Sequence, residues 1–417
     1  MTDDRLGGDS AQPSLSRRKL LTVAAVATTL ASSGSKVVAN ATAYGRNDDL
    51  LTDSARTQGS PPSPLGMRST ETTLARKPAL NIASMTPLED LHGTLTPADL
   101  HFERHHAGIP DINKAEHKLL IHGLAERALS FSVQDLLRFP AVTRTCFIEC
   151  SGNYFPRAGE LSAPHMICGL TSQSEWTGVP VSSLLREVGM RDNARWLIAE
   201  GADAALLNRS IPVSKALDDA LIVYAQNGEP LRPSQGYPIR LLLPGWEGNT
   251  NVKWLRRIEL SDVPAMSRQE TSKYTETMRD GTIRHFSFEQ GVRSIITSPA
   301  YPNTIEPGWH EIRGLAWSGG GKITAVEVST DGGKQWQQAQ LQGPILTKAH
   351  TRFGLQWHWD GTTTEIMSRA VDETGAIQPT LKQIYADRGL GSGFYHLNPI
   401  TGWIVRGDGE LRFNPTG

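Results

Sequence analysis

The apolar pattern of this chain changes character near residue 290, and that change constrains the fold more than any other feature. Before it, two periods are mixed. Val133-Gln134-Asp135-Leu136-Leu137 and Val181-Ser182-Ser183-Leu184-Leu185-Arg186-Glu187-Val188 space their apolar residues at helical intervals. Strand-like runs accompany them at Lys118 to Ile121, Trp196 to Ala199, Leu221 to Ala225 and Ile239 to Leu243. Beyond residue 290 only short strand-like runs remain, at Glu311 to Trp317 and Ile323 to Thr330. There Asp331-Gly332-Gly333 makes a turn and Lys334-Gln335-Trp336 opens the return strand. Further runs lie near Gln356 to Trp359, Ile366 to Val371 and Trp403 to Val405. The expected fold is therefore α+β: a mixed α/β domain over 85–265, a connector over 266–289, and an all-β immunoglobulin-like sandwich over 290–417. Six of the ten tryptophans lie beyond residue 300 and are expected to pack cores or interfaces.

A length of 417 residues suits two domains. With 42 Lys+Arg against 43 Asp+Glu, the chain lacks the basic excess that phosphate contacts demand, so no nucleic-acid partner is expected. Near the start, Ser16-Arg17-Arg18-Lys19-Leu20-Leu21 is a twin-arginine pattern, followed by an apolar run to Leu30 that is too short to span a bilayer. Ala39-Asn40-Ala41 and Ala41-Thr42-Ala43 both offer small-residue cleavage sites. Residues 1–43 thus read as a signal peptide for export of a folded protein to the periplasm. The Ser-, Thr-, Pro- and Gly-rich residues 44–84 read as a flexible arm. No later segment is long and apolar enough to be a membrane span.

Three cysteines, at 146, 150 and 168, cannot form a disulfide framework, and no Cys-x-x-Cys-His haem motif occurs. The sharpest local signal is Thr145-Cys146-Phe147-Ile148-Glu149-Cys150-Ser151-Gly152-Asn153. If extended, this run puts Cys146, Ile148 and Cys150 on one face and Phe147 and Glu149 on the other. Cys150 then ends the strand, where Gly152 and Asn153 suit a sharp turn. A Cys146–Cys150 disulfide is excluded, because two same-face positions four apart on a strand lie beyond bridging distance. Two readings of Cys150 stay open on spacing alone: a small buried hydrophobe, or a thiolate ligand to a soft metal.

Cys150-Ser151-Gly152-Asn153 closing a strand resembles the Cys-x-Gly-Asn of the sulfite oxidase family, whose cysteine ligates molybdenum in a molybdopterin cofactor. Other stretches agree in order. Phe102 to Pro110 is similar to the family's Arg-Asn-His segment. Gly236-Tyr237-Pro238-Ile239-Arg240, Leu243-Pro244-Gly245 and Val252-Lys253-Trp254-Leu255 resemble its downstream cofactor-binding stretch. Gly314 to Gly321 with Ser329 to Gly333 resembles its dimerisation domain. Within the family the likeness is greatest to the molybdenum subunits of sulfane dehydrogenases (the SoxC type), through Ala199 to Ala205, Ser210-Ile211-Pro212, Val223 to Glu229, Pro244 to Asn249 and Glu270 to Tyr274.

The resemblance implies that Cys150 is the metal ligand, that Arg104 and Arg388 form an anion pocket, and that Tyr274 is the active-site tyrosine. It implies cofactor contacts from His106, Asn153, Arg240 and Lys253, the last two toward the phosphate; strand-edge solvation is their competing reading. His101 with His105 permits a helically spaced pair that zinc could use, but the metalloprotease His-Glu-x-x-His is absent. Two departures stand out. Tyr154 and Phe155 follow Asn153 where sulfite oxidases carry an arginine pair, leaving Arg157 the nearest positive charge, and Gly248-Asn249-Thr250-Asn251 replaces Gly-x-Arg-His. The resemblance further implies a sulfur-carrier protein as substrate, a c-type cytochrome subunit (the SoxD type) as electron acceptor, and a homodimer through the C-terminal domain within a heterotetramer. The alternatives are a sulfite dehydrogenase, a reductase of oxidised sulfur compounds, and a periplasmic binding or assembly protein without the metal.

Overall fold

The computed structural model describes residues 58–66, 68–69, 74–79, 82–154, 161–389 and 395–415. The expected signal peptide, Phe155 and Arg157 lie outside these residues. None of the described helices is long and apolar enough to cross a membrane.

The first half is built on two five-stranded sheets. One runs in the order Leu129–Ser132, Lys118–Gly123, Leu255–Ser261, Trp196–Gly201, Asn208–Pro212. Its pair 118–123 with 255–261 is parallel and the others are antiparallel. The other sheet sets Glu229–Pro230, Leu221–Gln226, Thr171–Pro180 and Val142–Glu149 side by side, with Arg240–Leu242 also paired to Leu221–Gln226. Short helices at Val133–Leu136 and Val181–Val188 fill the positions expected from periodicity. The first begins with a capping box in which Ser132 and Asp135 satisfy each other's backbone N–H groups. Their apolar faces join Leu119, Ile121, Leu197, Ile211, Leu241 and Ile258 in one core.

The second half is a two-sheet sandwich. Arg293–Ser298, Gly308–Trp317, Thr351–Trp359 and Gln340–Gln342 form one sheet. Gln337–Gln338, Ile323–Ser329, Thr364–Asp372, Thr401–Val405 and Leu411–Asn414 form the other. Trp317, Trp359 and Trp403 are buried between them, as expected of core tryptophans, whereas Trp309 is 57 % exposed. The return strand begins at Gln337, just past the predicted Lys334 to Trp336. A helix, Leu381–Arg388, interrupts the all-β pattern and is capped by Thr380 and Gln383. Between the two halves, Gln269–Lys273 forms one wide helical turn, and Glu276–Thr277 pairs with Ile283–Arg284. Part of the stretch read as a flexible arm is ordered instead. Lys77–Ala79 pairs with Ala83–Met85, which pairs in turn with Glu103–Arg104, a non-local partner that local composition does not signal.

Residues 68–417 form one compact unit because the halves share packing. Phe147, Ile167 and Cys168 from the first half belong to the sandwich core. Beside them the buried Glu149 carboxylate accepts from Arg293 Nη1 at 2.9 Å, Trp317 Nε1 at 2.7 Å and Asn153 Nδ2 at 2.9 Å. His350 stacks on Phe147 with ring centres 5.8 Å apart, and its Nε2 lies 3.0 Å from Thr171 Oγ1.

Removing one member of a buried ion pair strands the other charge, a loss of about 3–5 kcal/mol. Arg293→Met is therefore expected to lower the melting temperature by several degrees, and an unchanged melt would show that the pair does not join the halves. His350 makes a second test. Burial lowers its pKa from 6.5 to about 3. Below pH 6.5 the unfolded chain binds a proton that the folded chain refuses, so stability falls toward pH 3 by about 1.4 kcal/mol per unit. Thermal melts between pH 7 and 4.5 should show at least this slope, and His350→Phe should make it shallower, leaving the contribution of His101 and His106, whose pKa values burial also lowers.

Candidate cofactor and active site

Strand alternation places Cys150. Cys146 and Ile148 point into an apolar cluster with Trp176, Leu170 and Leu242, against which Cys150 also packs. The opposite-facing Phe147 and Glu149 enter the sandwich side. Cys150 follows the last strand residue, its N–H bonded to the Leu170 carbonyl and its carbonyl accepting from the Asn153 N–H, both at 3.0 Å. Gly248 passes so close that a Cβ there would lie 2.9 Å from the Glu149 carbonyl oxygen and 3.4 Å from the Cys150 Cα. The three cysteines are all free, as expected.

Cys150 lies on the wall of a cavity. Arg104, His106, Arg240, Lys253 and Tyr274 line it too, so six of the eight expected residues converge. Arg240 is fully buried, and its Nη groups bond the Gln235 and Asn251 carbonyls at 3.1 Å. Lys253 Nζ bonds the Arg104 and Ser234 carbonyls and His105 Nδ1, at 3.2, 3.0 and 2.9 Å. Every one of these acceptors is neutral. Burial, reinforced by Arg240, pushes the Lys253 pKa well below its usual value. Neither Arg240 nor Lys253 has a carboxylate hydrogen-bonded to it, an arrangement that suits an anionic ligand.

Tyr274 Oη lies 2.8 Å from His106 Nε2 at the cavity mouth. Burial raises the tyrosine pKa, so the phenol stays protonated. Desolvation and the Arg104 charge lower the His106 pKa to about 4, so the imidazole is neutral at pH 7. Behind Tyr274 lies an ion network that sequence reasoning missed. Arg209, fully buried, sits with its guanidinium 5.0 Å from the centre of the Tyr274 ring. It contacts Glu247 at 3.2 Å and Glu270 at 3.7 Å, and donates to Asn249 Oδ1. Asn249 Nδ2 continues to Ser151 Oγ at 3.1 Å, beside Cys150. Glu270 also bonds the Ser210 N–H and hydroxyl, tying down the turn that presents Tyr274. The only signal in the sequence was that these residues lie in or beside the stretches carrying the family likeness.

Two expected residues do not reach the cavity wall. Both ends of the Asn153 amide are used inside the scaffold: Nδ2 on Glu149 and the Cys168 carbonyl, Oδ1 on the Leu170 N–H. It shapes the cysteine turn. Arg388 bonds Glu276 and the Tyr395 and His396 carbonyls, at 3.2, 3.1 and 2.9 Å, and so fixes the loop beside the mouth. Tyr154 is buried in the sandwich core with its hydroxyl on the Pro415 carbonyl, so it puts no group in place of the missing arginine. Among the described residues no group of three or more His, Cys, Asp or Glu could hold a metal, and the zinc alternative lapses.

Residues 106–269 match the oxidoreductase molybdopterin binding domain, and 284–402 the molybdenum-cofactor oxidoreductase dimerisation domain. The chain is 31 % identical to the sulfite oxidase of Gallus gallus, covering 72 % of each protein. It is 30 % identical to the mitochondrial sulfite oxidase of Rattus norvegicus over 77 % of this chain, and to the NADH nitrate reductase of Ulva prolifera over 69 %. It spans 65 % and 38 % of the length of those two proteins. The crystal structure of the sulfane dehydrogenase SoxCD from Paracoccus pantotrophus superposes with a TM-score of 0.84 at 42 % identity, over 88 % of this chain and 99 % of that one.

The residues present fit a molybdopterin: one thiol for the metal and neutral-bonded cations for a phosphate. Lys253→Met should lower molybdenum per purified chain at least several-fold, measured by metal analysis. Full occupancy in that variant would remove Lys253 from cofactor binding.

Proposed function

This chain belongs to the sulfite oxidase family of molybdopterin oxidoreductases, and we propose that it is the catalytic subunit of a periplasmic sulfane dehydrogenase. In this reading it oxidises sulfane sulfur held on a carrier protein, in thiosulfate oxidation, and passes electrons to a c-type cytochrome subunit. The observation that carries the proposal is the 42 % identity to the sulfane dehydrogenase structure over nearly its whole length, against 30–31 % to the sulfite oxidases named above. The twin-arginine pattern at Arg17-Arg18 supports export after folding, and the dimerisation-domain match supports pairing of two copies. Tyr154 in place of an arginine supports a substrate other than a free oxyanion.

Cys150 would hold the metal, and Arg240 and Lys253 the phosphate of the pterin. When bound, the molybdenum centre supplies oxygen-atom transfer to sulfur with two-electron redox change. The chain's own groups do the rest. Burial raises the Cys150 thiol pKa, so ligation must release its proton. Tyr274, kept protonated, is a neutral hydrogen-bond donor at the mouth, and Arg104 supplies positive charge there for an oxidised sulfur group. Arg209, Glu247 and Glu270 keep the phenol aligned without facing the substrate themselves.

The chain purified with its partners should carry about one molybdenum per subunit, lost in Cys150→Ser. It should reduce cytochrome c faster with the thiosulfate-loaded carrier than with free sulfite. The likeness to sulfite oxidases makes sulfite the second reading, and equal or faster turnover of sulfite would favour it. Tyr274→Phe should lower kcat by about 10²-fold, the usual cost of one lost transition-state donor, with molybdenum content unchanged.

A further inference from the structure

We propose that His101 holds the ring system of the bound molybdopterin, accepting one of its N–H groups at Nε2; this rests on the cofactor reading above. His101 lines the same cavity and is 1 % exposed, yet neither the family likeness nor the expected ligand set gives it a role. Its Nδ1 lies 3.0 Å from the Phe102 carbonyl oxygen. A carbonyl only accepts, so Nδ1 carries the ring proton. Burial keeps the ring neutral, its pKa lowered to about 3. Nε2 therefore presents a lone pair, and it is buried with no hydrogen-bond partner.

Neighbouring rings and a hydrogen bond hold the imidazole in this orientation. It stacks on Phe102 at 5.3 Å and meets Trp176 edge-on at 5.5 Å. Gln235 Nε2 donates to the same Phe102 carbonyl at 2.8 Å, which holds the acceptor of the Nδ1 bond in place. A buried polar atom left without a partner is uncommon and destabilising, and in a residue that lines a cavity it points to a ligand group as the missing partner.

The chemistry of the ligand selects which group. Phosphate oxygens are acceptors at neutral pH and would repel a lone pair, so the phosphate belongs with Arg240 and Lys253. A pterin carries amino and ring N–H donors, which an imidazole lone pair accepts. The same wall thus offers both cations and an acceptor, with Arg240 and His101 packed on one ring, that of Trp176.

The test compares wild type, His101→Phe and His101→Gln, each purified from a host that makes molybdopterin and from one that does not. His101→Phe should contain at least fivefold less molybdenum and extractable pterin per chain, while its cofactor-free form melts at or above the wild-type temperature, having lost an unpartnered polar atom. His101→Gln, which keeps an acceptor, should recover most of the cofactor. Full cofactor content in His101→Phe would overturn the assignment. So would a matching fall in the melting temperature of its cofactor-free form, which marks a purely structural histidine. A wild-type chain without molybdenum or pterin would instead sink the cofactor reading, and this proposal with it.

Discussion

The buried Glu149 carboxylate is the interaction on which both the site and the packing of the two halves depend. It accepts from Arg293 and Trp317 of the sandwich and from Asn153 of the cysteine turn. Desolvating a carboxylate is costly unless its lone pairs are filled, so these donors must be in place together. Because Glu149 and Cys150 are consecutive, the contact that joins the halves also sets where the thiol emerges. The sandwich is then more than an appended module, since it supplies donors to the strand that carries the thiol.

The rest of the site follows a division of charge. On the cavity wall, Arg240 and Lys253 are hydrogen-bonded only to neutral acceptors, and an anion bound there would favour the charge that burial disfavours on Lys253. Behind the wall, Arg209 is matched by Glu247 and Glu270, so its charge is spent internally and its guanidinium serves as a rigid support for Tyr274. Two buried guanidiniums, Arg240 and Arg209, thus have different duties, decided by whether a carboxylate is bonded to them.

Much of this was legible in sequence, and for identifiable reasons. Alternation along Cys146 to Cys150 correctly separated the cavity face from the sandwich face, because a strand's side-chain period leaves no other arrangement. The change of texture near residue 290 marked the sandwich. Collinear motifs brought Arg104, His106, Arg240, Lys253 and Tyr274 together with Cys150. Asn153 and Arg388 were legible as significant, but not as groups bonded to the scaffold. Arg209 escaped notice because its partner Glu247 lies 38 residues away, and nothing local distinguishes a paired arginine from a solvated one. The ordered strand at Ala83–Met85 was hidden for the same reason, its partner being Glu103–Arg104.

By itself the sequence determined what is periodic or contiguous: the strand that ends in Cys150, the two kinds of domain, the family, and the order of the motif residues. Only the tertiary structure decided which polar groups find partners. That depends on burial and on distances between residues far apart in the chain. It turned Glu149 from a strand residue into a junction, turned Arg388 and Asn153 inward to the scaffold, and left one nitrogen of His101 buried without a partner on the cavity wall.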